Sequence, residues 1–451
     1  MSGPPDPSVL RPSPGFLRIA DALEDAGFEA WGVGGAIRDA CWLSLTGAPP
    51  PPGGTLDWDV ATNARPEEVV SLFRRTVPVG VEHGTVGVLD QEGHLHEVTT
   101  FRRDVETYGR RARVTFADHV EDDLGRRDFT INAMAWRPRT DEVRDPFGGH
   151  EDLEAGVLRA VGTADERFAE DYLRVLRGLR FAGRYDLEIE ERTRSALERA
   201  VEGLPLLSAE RIREELMKVL ADPVPSTALD LYAGVGALAH WYPELVEPAR
   251  GRGAWRRNLA AVDHVPPHRA RVRLARLLIP AAGEPETRRE AADILLERLR
   301  FSNADRQAVV HLVFHYLPFV GPLDSASRHR SWLAEVGDAW RDLFRLQLAA
   351  ARANRTPEAG RYLVATWRNV HQTALEHPPL ALADLRVRGD DILALGVPPG
   401  PLVGLLLEEL LEQVLEDPDA NEREALLAEA RRLVEIGALA DTGGASPPAG
   451  A

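Results

Sequence analysis

Near residue 150 the chain changes its periodicity, and that change limits the folds open to it more than any other feature. From about residue 15 to 150, short β-type runs alternate with helical stretches. "FEAWGVG", "TLDWDVAT", "GTVGVLD" and "HLHEVTTF" read as strands, and "AIRDACWLSL" and "RPEEVVSLFRR" as helices. Beyond the turn-rich "DPFGGHEDLEAG", the pattern is almost wholly helical, broken by Pro and Gly near 222–226, 279–286, 316–323 and 377–400. This predicts an α+β chain, a mixed α/β head followed by a long all-α remainder. Both ends, "GPPDPSVLRPSPG" and "DTGGASPPAGA", have the composition of unstructured tails, and "GAPPPPGG" (47–54) reads as a stiff spacer.

Length and composition narrow the class. At 451 residues the chain has room for roughly two to four domains. No apolar run is long enough to cross a bilayer, and the N-terminus lacks the charged start and apolar core of a signal peptide. The single Cys41, in an apolar helical stretch, is expected to be a buried free thiol, which fits a reducing cytoplasm. The net charge of -17 argues against a nucleic-acid partner unless a local basic region answers it. Residues 250–276 supply one: eight arginines, among them Arg256, Arg257, Arg271 and Arg273, stand against Asp263. That block reads either as a phosphate-tracking surface or as a solvated helical face.

The chemistry concentrates in the head. In "WGVGGAIRDA" a strand ends at Gly34-Gly35 and a helix starts at once, with Arg38 in its first turn. Glycines admit an anion close to the backbone, and a helix N-terminus offers unpaired N–H groups. In "GGTLDWDVATNA", Asp57 and Asp59 lie two apart on a strand, so their carboxylates crowd one face. A solvated edge tolerates such a pair. Beside a phosphate cradle, however, the pair is what Mg²⁺ needs, since that ion takes one or two carboxylates plus phosphate oxygens. Two-metal sites usually want a third carboxylate, and Glu97 in "HLHEVTTFRR" supplies one unless it is a plain exposed strand residue. His94 and His96 alternate on the same strand, but no further Cys or His completes a zinc site, and they read as ordinary exposed residues.

"GGAIRD", "LDWDVAT", "VGVEHGTVGV", "EVTTF", "RRDFTINAMAW", "DPFGG", "EDYLRVLRGLRFAGRY" and "LLSAERIREEL" occur in this order over about residues 30–220. Together they resemble the class II tRNA nucleotidyltransferases, the CCA-adding enzymes of the polymerase-β nucleotidyltransferase superfamily. A later stretch beginning "LRVRGDDILALGVPPG" resembles the tail of bacterial members. The resemblance implies a nucleotidyltransferase head at 15–150, then an elongated all-α neck at 151–222, body at 223–340 and tail at 341–438, with body and tail contacting tRNA. It implies that Asp57 and Asp59 hold Mg²⁺ and that Asp57, Asp59 and Glu97 form the catalytic set. Gly34, Gly35, Arg38 and Arg127 would serve the triphosphate, and Asp128 the ribose hydroxyls. Asn132 would add a sugar or phosphate contact, and Arg177 is placed in the same nucleotide site. Substrates would be tRNA, CTP and ATP; no membrane and no obligate protein partner is implied.

The resemblance also makes Asp171 and Arg174 an amino-acid template for the incoming base, with Glu170 orienting the arginine. By spacing alone, Asp171 and Arg174 share a helix face, and an intrahelical ion pair reads equally well. Thr163 and Glu166 have capping-box spacing at the start of that helix. The template chemistry is coherent: cytosine and adenine each present an amine donor beside a ring-nitrogen acceptor, and uracil and guanine present the reverse. The interval "RRDVETYGRRARVTFADHVEDDLG" reads as a basic loop of full length, which the family requires for adding the terminal A. An A-adding specialist would keep the same loop, a poly(A) polymerase is a close relative, and a non-catalytic RNA-binding protein is the rival of another class.

Overall fold

The computed structural model describes residues 10–47, 58–80, 84–108, 111–243, 251–279, 284–317 and 323–437. These fall into two compact units, one drawn from 1–283 and 290–306, the other from 284–289 and 307–451. The first unit opens with α1 (Pro14–Asp25), whose N-terminus is capped by the Ser13 hydroxyl accepting from the Phe16 amide at 3.1 Å. The four strands expected from the sequence all form: β1 (Ala30–Val33), β2 (Asp59–Thr62), β4 (Thr85–Leu89) and β5 (Leu95–Thr100). They join β3 (Thr76–Gly80), β8 (Ala135–Arg137) and β9 (Glu142–Arg144) in one sheet of order β3-β4-β5-β2-β1-β8-β9. β3 was not legible as a strand because Pro78 interrupts it, and a proline is tolerated there because β3 is an edge strand.

Both faces of this sheet are covered. On one, Trp31, Val33, Ala61 and Ala135 pack with Phe101, Val120 and Leu124 into a buried cluster. On the other, Phe16 of α1 meets Trp58 and Trp136, with ring centroids 5.1 and 6.4 Å away. α2 (Gly35–Thr46) follows β1 directly, buries Cys41 as expected, and ends at Gly47 in the left-handed region (φ 65°). The basic interval expected as a loop is a hairpin instead: β6 (Arg102–Tyr108) pairs antiparallel with β7 (Arg111–Phe116). The tip, Gly109 and Arg110, lies outside the described residues. The Val, Thr and aromatic residues in "RRDVETY" and "RARVTF" suit a strand pair, a propensity that the high charge concealed.

Helices dominate from α5 (Gly149–Glu154) onward, as the periodicity requires. α6 (Ala164–Glu170) has no side-chain cap from Thr163, so the expected capping box does not form. α7 (Leu173–Tyr185) packs on α9 (Ala209–Ala221) and α10 (Pro225–Gly234). Its apolar stripe Val175, Leu176 and Leu179 is buried, and the Tyr232 hydroxyl donates to the Leu176 carbonyl at 2.8 Å. Gly183 allows this approach: a Cβ there would lie 2.5 Å from the Ala228 amide nitrogen. In the second unit, Leu385, Ile392, Leu406, Leu410, Leu426 and Leu433 form a separate buried cluster. Among the described residues no helix is long and apolar enough to cross a membrane.

The Gly183 contact is with backbone, which cannot swing aside as a side-chain tip can. Gly183→Ala is expected to lower stability by about 1–3 kcal/mol, the usual penalty for overpacking a close contact. Thermal unfolding of the full chain checks this, and an unchanged transition would show that α7 and α10 separate at little cost.

Candidate active site

β1 and β2 run antiparallel with Val33 opposite Asp59, and β2 runs parallel to β5 with Val60 beside Val98. Asp59 and Glu97 each stand one residue before that first parallel pair, so they sit side by side on the same face of the sheet. Asp59 is half-buried and Glu97 exposed. β1 delivers the chain into Gly34, whose φ of 82° only glycine adopts readily, and α2 begins at Gly35. A Cβ on Gly34 would lie 3.0 Å from Arg127 Nη1 and 3.9 Å from Asp59 Oδ2. The bare turn, the carboxylate and the guanidinium therefore converge on one hollow. Carboxylate-bearing residues on one face of the sheet, beside a bare glycine turn, are of the donor type that suits an oxygen-ligated divalent ion. Asp57 lies outside the described residues.

Arg127 donates to the Asn132 carbonyl at 3.3 Å and pairs with the buried Asp123 at 3.2 Å. Its neighbour Asp128 is buried and takes three donors: the Phe129 amide at 2.9 Å, Asn132 Nδ2 at 3.0 Å and Arg177 Nε at 2.7 Å. Burial opposes the charged form of Asp128, but the Arg177 charge and these hydrogen bonds outweigh it and hold the carboxyl at about 2. Asp128, Asn132 and Arg177, expected together from the sequence, are together.

Arg38, expected at the triphosphate, is tied into the protein interior, with its side chain only 7% exposed. Nη1 donates to Asn132 Oδ1 at 2.6 Å, while Nε and Nη2 donate to Asp39 Oδ1 at 3.0 and 2.9 Å. The guanidinium lies against the Phe181 and Tyr185 rings of α7, 5.0 and 4.8 Å from their centroids. A fork-shaped cation surrounded by acceptors and aromatic faces is retained inside, where its contacts with Asn132 and Asp39 are satisfied.

Asp171 and Arg174 do not share a helix face, because the helix breaks between them. Asp171 has an extended backbone (φ −155°, ψ 105°) and ends α6, and its carboxylate accepts from the Leu173 amide at the start of α7 at 3.0 Å. Arg211 on α9 grips both Asp171 oxygens, at 3.0 and 2.6 Å. Arg174 is held by Glu170 at 2.5 Å and by the carbonyls of Arg167 and Arg126, each at 3.0 Å. The orienting contact from Glu170 is thus present. Arg211 stands within "LLSAERIREEL"; 40 residues separate it from Asp171, and no local spacing signals such a pair.

The basic block is not one surface. Arg256 and Arg257 are exposed, and Arg271 is exposed but paired with Asp305 at 2.6 Å. Arg273 is fully buried, donating to the carbonyls of Val265 at 2.7 Å, Leu220 at 2.8 Å and Pro223 at 3.2 Å, so it cannot meet RNA phosphates. Helical periodicity turns it inward, where it meets the carbonyls at the C-terminal end of α9. His96, expected to be exposed, is also buried, 3.4 Å from Asp90.

Residues 30–159 match the poly(A) polymerase head domain, and residues 186–247 match the probable RNA and SrmB-binding site of polymerase A. The CCA-adding enzyme of Latilactobacillus sakei is 33% identical over 418 residues, which cover 92% of this chain and 97% of that enzyme. The chain belongs to the class II CCA-adding enzymes. Within this family the Leuconostoc mesenteroides enzyme is 46% identical over 216 residues, about half of each chain (47% and 51%). The crystal structure of the Bacillus stearothermophilus CCA-adding enzyme in complex with CTP superposes with a TM-score of 0.72 at 28% identity, covering 94% of this chain and 100% of that one.

Two expectations follow for this CCA-adding enzyme. Because Asp128 titrates near 2 when folded and near 3.8 when unfolded, its contribution to stability is complete above about pH 4 and is lost as pH falls through about 2. At 1.36 kcal/mol per unit, that is about 2 kcal/mol. Asp128→Asn should reduce the loss of stability on acidification by about that amount, as read from denaturant unfolding at several pH values. Arg211→Ala frees the Asp171 carboxylate from its only bidentate partner among the described residues. That variant is expected to relax discrimination against UTP and GTP several-fold and to raise KM for CTP and ATP, as measured by steady-state incorporation.

Proposed function

We propose that this chain adds C and A residues to the 3′ end of tRNA from CTP and ATP, without a nucleic-acid template, by Mg²⁺-dependent nucleotidyl transfer. The observation that carries this reading is the convergence of Gly34, Asp59 and Arg127 where the interior strands β1 and β2 meet, with Glu97 on the neighbouring strand and the Asp128–Asn132–Arg177 cluster beside them. The head at 15–150 is assigned the chemistry, 151–222 the choice of base, and 223–340 and 341–438 contacts to tRNA. A cytoplasmic setting suits the single buried thiol and these substrates.

Each group has a task in this reading. Asp59 and Glu97, with Asp57, would hold Mg²⁺, which would supply activation of the RNA 3′-hydroxyl and charge stabilisation for the departing pyrophosphate. Gly34 and Gly35 leave the triphosphate access to backbone N–H groups, and Arg127 above them supplies positive charge. Asp128 keeps its charge down to low pH and so remains an acceptor for ribose hydroxyls. Asp171 accepts the exocyclic amine of cytosine or adenine, and Arg174, steadied by Glu170, donates to the adjacent ring nitrogen. Uracil and guanine would be mispaired at both positions, and unsatisfied polar groups in such a site are costly. Arg256, Arg257 and Arg271 remain available as phosphate contacts, and Arg273 does not.

The β6–β7 hairpin bears on how much of CCA is added. It is basic, retained at full length and adjacent in sequence to the strand bearing Glu97, which favours an enzyme able to add the terminal A. An A-adding specialist would carry the same hairpin, so the substrates of the assay must separate the two. The enzyme is to be incubated with tRNAs ending at the discriminator base, at C and at CC, with CTP, ATP or both. Extension of all three to CCA is expected. Extension of the CC-ending tRNA alone would identify the specialist, and long A tracts would identify a poly(A) polymerase. Asp59→Asn should fold normally and lose several orders of magnitude in turnover; near-normal addition would remove the metal assignment.

A further inference from the structure

The contacts around Arg38 form a closed circuit that begins and ends on α7. The Tyr185 hydroxyl donates to Asp39 Oδ1 at 2.5 Å, and that oxygen also accepts from Arg38 Nε at 3.0 Å and Nη2 at 2.9 Å. Arg38 Nη1 donates to Asn132 Oδ1 at 2.6 Å, and Asn132 Nδ2 donates to Asp128 Oδ1 at 3.0 Å. The other Asp128 oxygen accepts from Arg177 Nε at 2.7 Å. Arg177, Phe181 and Tyr185 are spaced by four, so they form one stripe along α7. Phe181 fills the middle of the circuit, 5.0 Å from the Arg38 guanidinium and 5.3 Å from that of Arg177.

The circuit has a direction imposed by donor and acceptor types. Arginine only donates, so Asn132 must turn its oxygen to Arg38, which leaves its amide nitrogen to face Asp128. The Asp128 carboxylate is thereby fixed from one side by Asn132 and from the other by Arg177. Asp39 anchors the far end: its second oxygen is buried and makes no hydrogen bond among the described residues, so the carboxylate relies on Arg38 and Tyr185.

We infer that Tyr185 and Asp39 are positioning residues that set the enzyme's preference for ribonucleotides over deoxyribonucleotides. They act through Arg38 and Asn132 on Asp128 and touch no substrate themselves. The inference rests on the reading of Asp128 as the ribose acceptor. It adds that the placement of Asp128 is fixed by two residues outside the nucleotide site, one on the helix that follows the glycine turn and one at the end of the helix that carries Arg174 and Arg177.

Tyr185→Phe keeps the ring over Arg38 and removes the donor to Asp39; Asp39→Asn keeps the shape and removes the charge. Binding of CTP and dCTP by calorimetry without tRNA, and kcat/KM for both nucleotides on tRNA, give the preference, with thermal melting recorded in parallel. In each variant the preference for CTP over dCTP is expected to fall about tenfold, as suits the loss of one hydrogen bond to a charged group. A merely structural role would lower both nucleotides equally and leave the ratio unchanged, and that result would overturn the inference. So would a wild type with no preference for CTP over dCTP. Should Tyr185→Phe fail to melt as a folded protein, Asp39→Asn carries the same two outcomes. A wild type that binds CTP in preference to dCTP yet extends no tRNA would overturn the proposed function and leave the circuit standing.

Discussion

A guanidinium sealed inside a protein must find acceptors, because an unpaired buried charge costs several kcal/mol. Arg38 is such a group, and the head is arranged around meeting its demand. Asp39 answers it from the same helix, Asn132 from the short 3-10 turn at Thr130–Asn132, and the Phe181 and Tyr185 rings from α7. These contributions come from segments almost 150 residues apart, since Tyr185 meets Asp39 across 146 positions. The sheet presents Asp59 and Glu97, and the Arg38 contacts reach Asp128 through Asn132.

The same demand recurs through the helical part of the first unit. Arg180 pairs with the buried Glu215 at 2.7 Å, Arg184 with the buried Asp222, and Arg273 with a set of carbonyls. All but one of the 54 basic residues are arginine, the exception being Lys218. Arginine presents five donors in a rigid fork and so can bridge helices from inside, a task for which a lysine is poorly shaped. A count of basic residues therefore overstates the positive surface. The segment from 250 to 276 carries eight arginines in sequence, yet Arg273 and Arg276 are buried in the fold.

The segment between α6 and α7 shows how local spacing misleads. "EDYLRVLRGLR" has the residues of a helix, and two charged groups three apart on a helix would face each other. The chain instead breaks at Asp171, whose carboxylate serves the Leu173 amide and Arg211 while Arg174 turns to Glu170. Local propensity was overridden by a long-range ion pair from α9. Asp171 and Arg174 are thus held by different partners.

Much was legible without coordinates. Strand alternation gave β1, β2, β4 and β5, glycine chemistry gave the turn at Gly34, and the order of motifs gave the family. These are properties of neighbours in sequence, where side-chain type and a period of 2 or 3.6 residues determine which face a group occupies. What required the fold was every contact with a distant partner: Arg38 held by Asn132 and the α7 rings, Asp171 held by Arg211, Arg273 sealed among carbonyls, His96 buried beside Asp90. Hydrogen bonds and ion pairs act over about 3 Å whatever the separation in sequence, and a sequence of side chains holds no record of which acceptor a buried arginine will reach. The sequence by itself determined which chemical groups are available and on which elements they ride; only the tertiary structure decided which of them face the substrate and which are consumed in holding the others in place.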